Sequence, residues 1–200
     1  MPAQPLRIAS VNMRKRNAVT HALLNSDNDT NILLIQEPWF SKIGTARQDN
    51  ARQGTDILGG AAAPNWELLY PGLLDGQCPK VMAYARKTSA QNPNSPHFTA
   101  VPRVDICTHP SLQVLDIILD NEQWRVINFY HDVRDNTSLQ ALLALDIDAS
   151  IPTLLIGDFN LHSQTWSPPD TPRSSQATRF EVWAATNLLT LANNPGEITR

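Results

Sequence analysis

Apolar residues along this chain fall into short runs, each closed by a polar or helix-breaking residue. Residues 6–11 alternate loosely and predict a first strand that ends at Asn12. Val19, Ala22 and Leu23 recur at helical spacing and predict a helix over about 14–24. The run Ile32-Leu-Leu-Ile35 is of the buried-strand type and delivers Gln36 and Glu37 before Pro38 breaks it. Residues 39–63 read as a long polar connection without strong periodicity. Strands follow at 66–70 and 81–86, then a surface loop rich in Asn, Pro and Ser at 89–102. Residues 112–119 and 124–129 read as a hairpin joined by the four residues Asp120-Asn-Glu-Gln123.

The second half continues the alternation. Thr137-Ser-Leu-Gln140 has the capping-box form, with Leu139, Leu142 and Leu143 as the apolar face of the helix it opens. Leu154 to Ile156, fed in by Pro152, predict a buried strand ending in Gly157-Asp-Phe-Asn160. A Pro- and Ser-rich loop at 161–173 leads to a helix capped by Ser174 or Ser175, with Phe180, Trp183 and Ala184 inward. A last short strand is predicted at 188–192. Strand pairs and helices alternate irregularly, so a pair of mixed sheets flanked by helices, an α+β fold, suits the pattern better than an all-parallel sheet. There is no GxGxxG and no GxxxxGK[ST], which argues against nucleotide binding through those loops.

Composition narrows the classes. Two hundred residues suit one domain over 1–200, with 42% hydrophobic residues to build its core. A net charge of −3 gives no global basic signature, so a nucleic-acid partner would be held by a local basic patch or through a metal ion. Arg14-Lys15-Arg16 with Lys42, Arg47 and Arg52 is the candidate patch, although charged runs are commonly solvated faces. Cys78 and Cys107 stand far apart in no motif, which predicts neither disulfide nor zinc and suggests a reducing, intracellular setting. No apolar run reaches membrane-spanning length, so no membrane partner is expected.

Four predicted strand ends carry polar residues: Asn12, Glu37, Tyr130, and Asp158 with Asn160. If the strands lie side by side, these residues converge at one sheet edge, where ligands of α/β sheets usually sit. In a strand-like backbone Asp158 and Asn160 would share one face, with Phe159 packing on the other. Glu37 with Asp158 would then offer two carboxylates to a hard divalent cation such as Mg²⁺. Such an ion would polarise a phosphoryl oxygen. The simpler readings are an Asx turn at Asp158 and Asn160, a helix cap at Asn12, a solvated strand end at Glu37, and a hairpin-edge aromatic at Tyr130. His131 and His162 read as rim residues. Trp39 and Trp166 are either base-stacking platforms or lids on the core.

The ordered set Asn12, Gln36-Glu37-Pro38-Trp39, Asn128-Phe-Tyr130-His131 and Gly157-Asp-Phe-Asn160-Leu-His162 resembles the endonuclease/exonuclease/phosphatase superfamily. Its wording is most similar to the apurinic-endonuclease-like domain of fungal non-LTR (LINE-type) retrotransposons. The resemblance implies a four-layer α/β/β/α sandwich of two mixed sheets. It implies Glu37 as the Mg²⁺ ligand (Mn²⁺ as a substitute), Asn12 as its support, and Tyr130 as a hydrogen-bond donor to the scissile phosphate. Asp158 would orient or activate the attacking water and stand near the metal, and Asn160 would donate to a phosphate oxygen in the transition state. It further implies DNA backbone phosphates as partner, a downstream reverse-transcriptase domain, and a nuclear site of action. The family's closing Ser-Asp-His segment has no counterpart among His21, His97, His109, His131 and His162. Residues 1–200 are therefore expected to lack the last strands of the sandwich and to cut weakly or not at all. Two other readings stay open: a phosphatase acting on small phosphoesters, and a non-catalytic remnant.

Overall fold

The computed structural model describes residues 5–27, 29–46, 55–74, 76–87, 96–168 and 170–193. In chain order the elements are β1 (Ile8–Asn12), α1 (Asn17–Ser26), β2 (Ile32–Gln36), β3 (Phe40–Ala46), β4 (Thr55–Gly60), β5 (Trp66–Leu69) and β6 (Val81–Arg86). They continue with β7 (Phe98–Pro102), β8 (Leu112–Leu119), β9 (Glu122–Tyr130), α2 (Thr137–Leu143), β10 (Thr153–Asp158) and α3 (Ser175–Thr186). Two four-stranded sheets, β1-β2-β6-β5 and β10-β9-β8-β7, face each other. Each is mixed: β1 with β2 and β10 with β9 are parallel, and the remaining pairs are antiparallel.

The layers follow from strand periodicity. On β2, Ile32 and Leu34 point into the core between the sheets, where they join Ala83, Leu115, Ile117 and Val126. Leu33 and Ile35 point the other way and pack with Leu24 of α1, Trp66 and Tyr84. On the second sheet, Val114, Ile127 and Phe129 face outward under Leu142 of α2 and Phe180 and Trp183 of α3. Helix, sheet, sheet, helix is the four-layer sandwich expected, with both faces of the central strands β2, β6, β8 and β9 buried.

Several elements depart from the sequence reading. The connection at 39–63 contains a two-stranded sheet, β3 with β4, whose polar and glycine-rich strands give no clean alternation. The predicted loop at 89–102 ends in strand β7, which pairs with β8. The hairpin turn is two residues, Asp120-Asn121, both with positive φ, the conformation that matches the twist of flanking strands. α2 starts at Thr137 behind Asn136 with no side-chain cap, because the Thr137 hydroxyl bonds His109 Nε2 at 3.1 Å instead. Ser174 does cap α3, accepting from Ala177 N at 3.1 Å. No strand forms at 188–192 among the described residues. Leu188 takes a left-handed φ of 58°, and Leu189 N bonds back to Ala184 O at 2.9 Å, which closes the helix. β10 is an edge strand, and its Leu154 is 38% exposed rather than buried.

The outer face of the second sheet carries a buried ion pair, Asp116 with Arg125. Asp116 of β8 accepts from Arg125 Nε at 2.8 Å and from Arg103, which also pairs with Asp105. Burial alone would raise the Asp116 carboxyl; the hydrogen bonds from Arg125 and Arg103 outweigh it and hold the group below the usual carboxylate range. Replacing Asp116 by Ala is expected to destabilise the fold by about 3 kcal/mol, because the buried Arg125 guanidinium loses its carboxylate while Arg103 keeps Asp105. Since the folded value is depressed, this stabilisation is present above the unfolded value of 3.8 and is lost as pH falls through the folded one. Thermal melts of both chains between pH 3 and pH 7 check it: the gap should be full at neutral pH and close in acid.

Candidate active site

The two parallel strand pairs bring four polar strand ends to one edge of the sandwich. β1 and β2 end together, with Asn12 opposite Gln36 and Glu37 next in the chain. β10 and β9 end together, with Asp158 opposite Tyr130. The pairs belong to different sheets and meet face to face, which corrects the expectation that these strands lie side by side in one sheet. Asn12 Nδ2 spans the gap, donating to Glu37 Oε1 at 2.7 Å and to Asp158 Oδ2 at 2.9 Å. One amide thus holds two carboxylates together, one from each sheet. Asn12 does not cap α1: its Oδ1 accepts from Arg14 N at 2.9 Å, and the helix begins at Asn17 without a side-chain cap.

Tyr130 completes the cluster, with its phenol hydrogen-bonded to Glu37. Burial, and then the charge and hydrogen bond of Glu37, push the phenol up to about 12, so it stays protonated at neutral pH and remains a donor. Asp132 adds to the same negative field, while Lys80 Nζ pairs with Asp132 at 3.2 Å and Asp135 at 3.6 Å on the flank.

The backbone around the cluster is strained. Arg14, Lys15, Glu37 and Asn160 all have left-handed φ without being glycine, a conformation that costs about 1–3 kcal/mol and gathers at functional sites. At Glu37 the turn interrupts strand alternation, and the carboxylate meets Asn12. At Arg14 and Lys15 it delays the helix predicted from 14, while Lys15 N bonds Glu37 O at 2.8 Å. At Asn160 it rotates the side chain away from a simple shared face with Asp158; Nδ2 donates to His131 O at 3.0 Å, and its second N–H is available. Phe159 packs on the outer face against Phe129 and Phe180, as the alternation predicted.

Other sequence candidates are redistributed. His131 is fully buried rather than at the rim: it bonds the Ser138 hydroxyl at 2.9 Å and stacks on Phe129. His162 is exposed on the loop. Trp166 packs on Phe180 and donates to Leu161 O at 2.8 Å, so this half-buried ring covers the core. Trp39 packs on the cluster beneath α1. Arg14, Lys15 and Arg16 are exposed beside the site, Lys42 is paired with Asp56 at 2.6 Å, and Arg47 and Arg52 lie outside the described residues.

The donor set suits a hard cation held by few protein ligands. Two carboxylates and an amide converge, all oxygen donors apart from the bridging nitrogen. No group of three or more His, Cys, Asp or Glu forms a metal cage among the described residues. A site with one or two carboxylates is the usual Mg²⁺ arrangement, with waters and substrate phosphate filling the remaining positions. Two residues beneath the site went unassigned in the sequence reading, Gln36 and Asn128. Their signal was present: each is polar at a position where strand alternation demands an apolar side chain.

Residues 124–200 match the endonuclease-reverse transcriptase family. The match includes Tyr130, Asp158 and Asn160 and leaves Asn12 and Glu37 outside. Among solved structures, the endonuclease domain of TRAS1, a telomere-specific non-LTR retrotransposon, superposes with a TM-score of 0.60 at 12% identity. That superposition covers 95% of this chain and 74% of the other. No curated protein matches the chain.

Proposed function

From that family match and that fold, which bear out the resemblance to the endonuclease/exonuclease/phosphatase superfamily, we propose that the chain is a Mg²⁺-dependent phosphodiesterase domain that nicks DNA for a non-LTR retrotransposon. The observation that carries this is the Asn12 amide bound to Glu37 and Asp158 from opposite sheets. Glu37, with Asp158 beside it, supplies the carboxylate oxygens that hold the cation. A cation bound there would polarise a phosphoryl oxygen and offset its developing charge. Asp158 orients the attacking water and accepts its proton. The Tyr130 hydroxyl and the second N–H of Asn160 donate to the non-bridging oxygens as charge develops on them. Asn12 keeps the two carboxylates apart from each other and together at the phosphate.

As the water oxygen bonds to phosphorus the P–O3′ bond breaks, and the departing 3′-oxygen takes a proton from solvent, which leaves a 3′-hydroxyl that suits priming by a reverse transcriptase encoded downstream. DNA backbone phosphates are the partner, with Arg14, Lys15 and Arg16 on the approach. The nucleus is the compartment this role requires, and no described helix is long and apolar enough to cross a membrane. Supercoiled plasmid treated with the chain and Mg²⁺ should yield nicks that a DNA polymerase extends without phosphatase treatment. Turnover of p-nitrophenyl phosphate with no plasmid nicking would overturn the reading and leave a small-phosphoester phosphatase. Neither reaction, with Mg²⁺ binding absent, would leave a non-catalytic remnant.

A further inference from the structure

The core between the sheets changes character along its length. At one end it is wholly apolar: Ile32, Leu34, Ala83, Leu115, Ile117 and Val126. Toward the site the inward positions turn polar. After Ile32 and Leu34, the next inward residue of β2 is Gln36, and after Val126, the next inward residue of β9 is Asn128. Both are buried, at 2% and 0% exposure. Gln36 Nε2 donates to Asn128 Oδ1 at 2.7 Å and lies 3.0 Å from Ser10 Oγ of β1. Asn128 Nδ2 in turn donates to Met82 O at 3.0 Å.

Burying two amides at apolar positions stabilises little in itself, since hydrophobic side chains of similar volume would pack there at least as well. What the amides add is direction. Apolar contacts between sheets are non-directional, whereas a 2.7 Å amide bond fixes both the spacing and the register of the strands that make it. Those strands carry the two halves of the site: Glu37 follows Gln36 by one residue and Tyr130 follows Asn128 by two.

We infer that Gln36 and Asn128 are positioning residues, an inter-sheet clamp that sets the gap between Glu37 on the first sheet and Tyr130 and Asp158 on the second. The inference rests on the reading of this edge as a cation-dependent phosphodiesterase site. Cation–oxygen distances near 2.0–2.1 Å tolerate little variation in that gap. Gln113 provides an internal comparison. It is an equally buried inter-sheet amide on β8, beside Asn128 in the strand register, but it donates to Leu69 O of β5 at 2.8 Å, and β5 carries no member of the carboxylate cluster.

The test compares Gln36→Met/Asn128→Leu, the milder Gln36→Met, and Gln113→Leu in the full chain. Mn²⁺ binding is read by electron paramagnetic resonance of the free ion, with plasmid nicking and thermal melting alongside. Removing residues that orient metal ligands costs about 10–100-fold in metal affinity. The double variant is expected to fall in that range, with Gln36→Met between it and wild type. Nicking should drop through kcat with KM for DNA unchanged. Gln113→Leu should leave Mn²⁺ affinity as in wild type. Wild-type Mn²⁺ affinity in the double variant, or an equal loss in Gln113→Leu, would overturn the clamp. A wild-type chain that binds Mn²⁺ but never nicks would overturn the nuclease reading alone, and the binding comparison would still decide the clamp. A wild-type chain that binds no Mn²⁺ overturns both.

Discussion

Replacing Asp158 by Asn is expected to lower the nicking rate by about 10²–10⁴-fold relative to wild type, the range for loss of a proton-accepting group. The substitution keeps the shape of the side chain and an oxygen that still accepts from Asn12 Nδ2, now 2.9 Å from Asp158 Oδ2. It removes the negative charge, the basic site and one of the two oxygens offered to the cation. In the absence of cation, Glu37 and Asp158 are like charges sharing one amide, so their repulsion opposes folding. The variant should therefore melt no lower than wild type while losing activity. That divergence separates a catalytic role from a structural one: a fall in melting temperature in step with the rate would point to damage, and a wild-type rate would exclude Asp158 from the chemistry.

The second large effect concerns the residue before it. Gly157 has φ of 156°, and a Cβ built there would lie 1.8 Å from Phe129 O and 2.7 Å from Phe129 C. No side-chain rotation relieves a clash with backbone, so β10 must separate from β9 at the step that aligns Asp158 with Tyr130. Gly157→Ala is expected to destabilise the chain by about 4 kcal/mol or more, the exceptional end of single substitutions. For a chain of this size that is a drop of about 8–16 °C in melting temperature. Calorimetry of the variant checks it. An unchanged transition would mean that β10 does not run against β9 in the register seen.

Much of this architecture could be read from the chain because a strand buried on both faces shows as an unbroken apolar run. The runs at Ile32 to Ile35 and in β8 and β9 are such strands; the ends of β2 and β9 deliver Glu37 and Tyr130, and the less buried β1 and β10 beside them bring Asn12 and Asp158 to the same edge. The sheets to which those ends belong could not be read, because period-two patterning gives the face of a strand and not its neighbour. β3 and β4 were missed because they pair mainly with each other, with five of the seven β3 residues exposed, and so carry no core-facing stripe. The late start of α1 was illegible for another reason. Arg14 and Lys15 give up a helical first turn so that Lys15 N can bond Glu37 O, a tertiary contact that local spacing does not encode. Asn160 shows the same override, its left-handed φ and its bond to His131 O replacing strand geometry.

The most direct test of the central claim is nicking of supercoiled plasmid by wild type and Glu37→Ala, each with Mg²⁺ and with EDTA. Glu37 is chosen because it makes the shorter bond to Asn12 and also holds Tyr130. Open-circular product is expected only from wild type with Mg²⁺, even if slowly formed. Product that persists in EDTA, or that Glu37→Ala forms at the wild-type rate, would contradict a cation-dependent phosphodiesterase at this edge of the sandwich.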